Sequence, residues 1–288
     1  MKLVHSISEL QETLDKARAD KTIVFVPTMG ALHEGHLSLV AQAREIENSF
    51  VVLSIFVNPT QFGKGEDFDK YPRTLDSDLV ALQEVKPDVV FAPSVEEVYA
   101  NGIDVPLKPR AGALGSVFEG ASRPGHFEGM LHIVSWFFDL VKPKVAVFGA
   151  KDAQQLFLIK RMVHREFADS IEILEAETVR EEDLLAKSSR NRFLSPEGRA
   201  YAPELFRTML SVQEQITDGV KPSVAIAEAR RALEGQPLAK LDYLALVDKR
   251  TFAPIDDDFT GEAQLLVASV VTGVRLIDNL TFYIQEPA

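Results

Sequence analysis

Two hydrophobic rhythms alternate along the first two thirds of the chain. A continuous apolar, β-branched run occurs at 22–27, a second largely apolar run at 49–57, and shorter strand-like stretches at 88–92, 144–149 and 171–174. The first two read as strands buried on both faces of a sheet, and the others as further strands. Helical spacing appears before and between them. At 8–19 it runs through Leu10, Leu14 and Ala17, with Ser8 as the expected N-cap; at 35–47 it runs through Leu37, Leu39, Val40, Ala43 and Ile46. Further helices are expected at 75–85, 126–141 and 152–167, the middle one apolar nearly all round and therefore buried. Strands alternating with helices predict an α/β fold built on a doubly wound parallel sheet.

From about residue 185 the rhythm changes. A long helix is expected over 196–216, opened by Ser195 as N-cap, Pro196 at the first position and Glu197 in the first turn. A second helix at 223–233 precedes three alternating runs at 241–247, 264–271 and 274–279. That order suits a smaller α+β domain with an antiparallel sheet. The expected division is residues 1–183 and 184–288.

Composition adds exclusions. A chain of 288 residues with 46% hydrophobic content can bury a substantial core. A formal net charge of −12 argues against nucleic acid or an anionic membrane as partner, though a local cluster of cations would still admit a nucleotide. The absence of cysteine excludes disulfides, thiolate metal sites and a cysteine nucleophile. The N-terminus turns polar too early for a signal peptide, and the greasiest stretch, 133–141, is too short to span a bilayer. The expectation is a cytoplasmic enzyme.

Five segments carry candidate chemistry. PTMGALHEGHLSL (27–39) falls where an open α/β sheet binds ligands, between a first strand and the next helix. Gly30 and Gly35 allow close backbone approach, and the helix start offers N–H groups to phosphate. His33 and His36, three apart, can face one ligand there and donate to phosphate oxygens as charge builds. For an isolated histidine the plainer reading, one ring capping or packing and the other solvated, would be preferred, but the His-x-Gly-His arrangement is rarer. SIFVNPTQF (54–62) brings the neutral amides Asn58 and Gln61 past the second strand, suited to a small polar acid or simply to an Asn-Pro turn. FGAKDAQQL (148–156) puts Lys151 at a strand-to-helix turn, with Asp152 as a cap and Gln155 one turn inward. KSSRNRFLSPEGR (187–199) sets Ser188 and Ser189 before Arg190, either a polar hinge or a loop that neutralises a triphosphate. FEGASRPGHFEGM (118–130) gathers Glu119, Arg123, His126 and Glu128 around Gly and Pro, as a functional or a plain charged loop.

His-x-Gly-His with a later basic, Ser-rich segment resembles the signature of class I aminoacyl-tRNA synthetases and related nucleotidyltransferases. In order and spacing, PTMGALHEGH, FVNPTQF and RPGHFEG resemble the pantothenate synthetase (pantoate–β-alanine ligase) family over nearly the whole chain. The resemblance implies a Rossmann-like fold and formation of pantothenate from pantoate, β-alanine and ATP through pantoyl adenylate, with release of pyrophosphate and then AMP. It implies that Met29, Gly30, Ala31, Leu32, His33, Glu34, Gly35 and His36 bind ATP, with His36 as proton donor or phosphate stabiliser. Gly149, Ala150, Lys151, Asp152, Val179, Lys187, Ser188, Ser189 and Arg190 would complete the nucleotide site, Lys151 and Arg190 supplying its main positive charges. Gln61 and Gln155 would hold pantoate, Gln61 also reaching β-alanine, with Asn58 and Arg123 as further substrate contacts. Mg²⁺ would arrive on ATP and need few protein ligands; Asp76 and Asp78 are outer contacts at most. Residues 63–71 form the expected lid, and a homodimer is implied. Family members commonly carry Glu where this chain has Ala150 and Met where it has Lys187, which implies a modest change in ATP affinity. A cytidylyltransferase and a non-catalytic nucleotide-binding regulator are the rival readings.

Overall fold

The computed structural model describes residues 1–63, 68, 69 and 71–285. The chain divides into two compact units, Met1–Ala150 with Gln155–Glu177, and Lys151–Gln154 with Thr178–Ala288.

In the first unit the order is β1 (Lys2–Val4), α1 (Ile7–Ala17), β2 (Thr22–Thr28), α2 (Glu34–Glu45), β3 (Ser49–Ile55), α3 (Leu75–Ala81), β4 (Val89–Phe91), α4 (Val95–Val98), α5 (Glu119–Ser122), α6 (His126–Val141), β5 (Val145–Gly149), α7 (Ala153–Glu166) and β6 (Glu172–Ala176). Among the described residues these strands form one six-stranded parallel sheet in the order β1-β4-β3-β2-β5-β6. The chain therefore winds one way from β2 through β3 to β4, then returns to place β5 on the other side of β2. The carboxyl ends of β2 and β5 thus flank the switch point where such sheets bind ligands.

Alternate residues of β2 feed two separate cores, as a strand covered on both faces must. Ile23 and Phe25 join a cluster with the buried faces of α1 and α6; Val24 and Val26 join another with Leu39, Val40 and Ala43 of α2. Phe25 meets Phe137 and Phe138 of α6 at ring-centroid distances of 5.4 and 6.4 Å. Each such ring, wholly removed from water, contributes roughly 1.5–3 kcal/mol of burial.

The second unit holds α8 (Pro196–Tyr201), α9 (Glu204–Thr217), α10 (Pro222–Glu234) and the strands β7 (Ala239–Asp248), β8 (Gly261–Val271) and β9 (Val274–Ile284). These strands make an antiparallel sheet in the order β7-β8-β9, with its own core around Met209, Val212, Leu265 and Val267.

Two local expectations need correction, and one strand was not expected. The first helix is capped by Ser6, in a reciprocal capping box with Glu9, and Ser8 lies inside it. The expected helix at 196–216 is two helices, because Pro203 has no N–H and its ring clashes with the preceding turn. Strand β1, three residues long, carries too little pattern to be seen in advance.

Candidate functional site

Past β2 the backbone bends sharply. Gly30 (φ 80°) and Ala31 (φ 50°) both occupy the left-handed region, which costs alanine about 1–2 kcal/mol. The bend is held by Asp78 on α3, a carboxylate that is 3% exposed. Its oxygens accept the Ala31 N–H at 3.1 Å and the Leu32 N–H at 2.8 Å, and the Thr74 hydroxyl at 3.2 Å. A side chain at Gly30 would press within 3.1 Å of that carboxylate. Both Asp78 oxygens are thus engaged by donors of the loop and of Thr74. Met29 and Gly30 also wall a cavity of about 300 Å³ with Arg73 and Asp78.

The bend delivers the two histidines to the start of α2. His33 is the N-cap, and its Nδ1 accepts the Gly35 N–H at 3.1 Å. His36 completes the box, its Nδ1 accepting the His33 N–H at 3.3 Å. The rings lie 4.1 Å apart between centroids. A neutral imidazole that accepts through Nδ1 carries its proton on Nε2. Capping therefore makes each ring a donor through Nε2, beside the positive end of the helix dipole.

Gln61 sits at the end of a 3-10 turn, Pro59–Gln61, after β3. Its Nε2 approaches Met29 Sδ at 2.9 Å, and its Oε1 accepts from Asn58 Nδ2 at 3.2 Å. Asn58, 1% exposed, also donates to the Gly129 carbonyl at 3.0 Å and accepts from Tyr99 Oη at 2.7 Å. Burial pushes the Tyr99 hydroxyl above its ordinary range, opposed by its hydrogen bond with Thr60. From α6, His126 and the Gln61 carbonyl meet at 2.9 Å through Nδ1, while Arg123 Nη1 lies 3.1 Å from His126 Nε2. Arginine can only donate, so Nε2 accepts and the His126 proton sits on Nδ1, aimed at that carbonyl. Glu119 stands 4.0 Å from the Arg123 guanidinium. Gly129 lets α6 approach this turn, since a Cβ there would overlap the Thr60 carbonyl.

Gly149 ends β5, beside β2 in the sheet, and the Ala150 N–H donates to the Ala176 carbonyl at 2.8 Å. Gln155 lies half-buried in the first turn of α7. The first unit thus brings residues 29–36, Asn58, Gln61 and Arg123 to the carboxyl side of its sheet. Of the expected lid, positions 64–67 and 70 lie outside the described residues.

In the second unit, Lys151 and Asp152 are half-buried. The carbonyl of Val179 accepts the Lys187 N–H at 2.9 Å, closing a narrow hairpin. Lys187 Nζ lies 3.7 Å from Glu181, so the charge added at this position has a carboxylate beside it. Ser188 caps a 3-10 turn, Ser189–Phe193, by accepting the Arg190 N–H at 3.3 Å. Among the described residues no group of three or more His, Asp or Glu could hold a metal, and no helix is long and apolar enough to cross a membrane.

The sequence gives no sign of Asp78 as the support of the bend after β2, nor of Tyr99 beside Asn58. Asp78 acts across 47 positions of chain and Tyr99 across 41, so no local pattern announces either.

The family model for pantoate-beta-alanine ligase matches residues 2–281. The chain is 49% identical to a pantothenate synthetase of Nocardioides over 96% of its own length and 84% of that protein. A Thermus thermophilus pantothenate synthetase is 46% identical over 98% of this chain and 100% of its own. A crystal structure of pantothenate synthetase from Thermus thermophilus superposes with a TM-score of 0.89, covering 97% of this chain and 99% of that one. A Francisella tularensis pantoate-beta-alanine ligase, complexed with Beta-gamma ATP and beta-alanine, is 32% identical, with a TM-score of 0.78 over 97% of both chains.

Proposed function

The chain belongs to the pantoate-beta-alanine ligase family, ATP-dependent ligases condensing pantoate with β-alanine, and on that premise we propose that its reaction runs through a pantoyl adenylate. A pantoate carboxylate oxygen attacks the α-phosphorus of ATP, and the bond from that phosphorus to the pyrophosphate oxygen breaks. The β-alanine amine then attacks the acyl carbon, loses a proton, and AMP departs with the C–O bond electrons. Activation is needed because a free carboxylate is a poor acyl donor.

The capped histidine pair carries this reading. Nε2–H groups of His33 and His36, set at a helix N-terminus, suit phosphate oxygens whose negative charge grows as pyrophosphate leaves. Met29, Gly30, Ala31, Leu32, Glu34 and Gly35 contribute the surrounding loop backbone. Gly149, Ala150, Asp152, Val179, Lys187, Ser188 and Ser189 contact the nucleotide, and Lys151 and Arg190 supply positive charge to its phosphates. Gln61 and Gln155 bind pantoate, Gln61 also meeting β-alanine. Asn58 serves substrate by orienting Gln61, whose amide it holds, and Arg123 by keeping His126 against the Gln61 backbone. Mg²⁺ enters as the ATP complex, held by phosphate oxygens. The enzyme works in the cytoplasm as a homodimer.

Replacing His36 by Ala is expected to slow pantoate-dependent pyrophosphate exchange by about 10²–10³-fold. Aminolysis of supplied pantoyl adenylate should be spared. Exchange at the unaltered rate would remove His36 from the mechanism.

A further inference from the structure

Lys151 reaches its position through a strand that no motif marks. Its backbone carbonyl accepts a hydrogen bond from Asn279 Nδ2 at 2.8 Å. Asn279 lies on β9, 128 positions away, and is 7% exposed. Its other amide atom is fixed too: Gln264 Nε2, from the adjoining β8, donates to Asn279 Oδ1 at 3.1 Å, inside the protein. With Oδ1 accepting from Gln264, the amide must present its NH₂ to Lys151, so the orientation is set by the network.

The preceding residue ties down the other proposed nucleotide segment. Asp278, 8% exposed, takes both guanidinium nitrogens of Arg180, at 2.7 and 2.9 Å. It also accepts the Asn279 N–H at 2.8 Å. The Arg180 guanidinium lies over the Phe206 ring, 3.4 Å from its centroid. Arg180 bridges to Ala186 across the hairpin that joins Val179 to Lys187 and runs into the Ser189–Phe193 turn. Two consecutive residues of β9 thus hold the Lys151 turn and the 179–187 hairpin against one strand.

We propose that Asn279 is a positioning residue for adenylation: its amide, oriented by Gln264, fixes the Lys151 backbone so that the ammonium meets the phosphates, and Asp278 does the same for the hairpin through Arg180. This rests on the reading of Lys151 as a phosphate-binding group. A chain free to shift by about 1 Å at such a residue loses on the order of 10²-fold in rate. Asn279 acts through Lys151, whose proposed partners are the ATP phosphates, so its effect falls on the first half-reaction.

The test compares Asn279→Ala, Lys151→Ala and the double variant, each in two assays. One is pantoate-dependent pyrophosphate exchange; the other is AMP release from supplied pantoyl adenylate and β-alanine. Asn279→Ala is expected to slow exchange by roughly ten- to hundredfold and leave AMP release within about twofold. The double variant should be no slower in exchange than Lys151→Ala alone, because Asn279 acts through Lys151. Unchanged exchange in Asn279→Ala beside a crippled Lys151→Ala overturns the positioning role alone. So do losses that multiply in the double variant, or equal losses in both assays, which mark general structural damage. Full exchange in Lys151→Ala overturns the lysine's role and the tether's purpose with it. Should Asn279→Ala fail to fold, Asn279→Ser, too short to reach the carbonyl, takes its place in both assays, with the same results supporting or overturning the tether.

Discussion

Asp78 does for the bend after β2 what glycine alone cannot. Gly30 permits the left-handed turn, but Ala31 is held there against its preference, and the two amides on that carboxylate supply the restraint. Asparagine at 78 keeps the size and loses one acceptor, setting an NH₂ against a backbone N–H. A buried donor left without a partner costs about 1–3 kcal/mol. Asp78→Asn is therefore expected to lower stability by that amount and to raise the KM for ATP more than it alters aminolysis of supplied adenylate. Urea unfolding and the two half-reaction assays check this; an unchanged KM would mean that the loop keeps its shape without the carboxylate. The same reasoning explains which site residues the sequence discloses. His33 and His36 stand in a local motif whose capping bonds span two or three residues, whereas Gln61 has Asn58 three residues away but also meets Met29 and His126 across 32 and 65 positions. Asp78, Tyr99 and Asn279 act across dozens of positions, and nothing in their own neighbourhoods hints at the contact.

At the level of elements, the packing of α6 on the Pro59–Gln61 turn joins core to site. The helix is legible beforehand, since an apolar run with helical spacing has few alternatives, and the structure places it over His126–Val141 as the spacing predicts. What pattern cannot show is that Gly129 is the point of closest approach, with no room for a methyl beside the Thr60 carbonyl. Gly129→Ala must push helix and turn apart, at a cost of about 1–3 kcal/mol. The turn carries Gln61, so the KM for pantoate is expected to rise along with the loss of stability. A melting temperature and a pantoate titration measure both; normal values for each would show that the turn yields without consequence. Helix breaks are read less well than helices. Expecting one helix over 196–216 gave full weight to periodicity and too little to Pro203, which separates α8 from α9.

For the molecule as a whole, the parallel α/β sheet and the antiparallel C-terminal sheet follow from the switch between continuous and alternating apolar runs. The strand order within each sheet did not, because pairing depends on which faces the connections leave to be covered. Each unit closes its own hydrophobic interior, in two clusters on either face of the parallel sheet in the first and in one cluster in the second. Met209, fully buried among Leu205, Val212 and Leu265, belongs to the second. Met209→Ala is expected to destabilise that unit by about 2–5 kcal/mol. Amide hydrogen exchange should accelerate across β7, β8 and β9 and stay near the parent rate in β2 and β5. Equal acceleration in both sheets would show that the units unfold as one.

The cap on α2 has a consequence for traffic of hydrogen ions. Nδ1 of each ring is already given to a backbone amide, so any proton arriving there must first evict an N–H and unpick the opening turn. In the proposed reaction each imidazole would therefore lend and reclaim hydrogen through Nε2 alone, leaving the opening turn of the helix undisturbed.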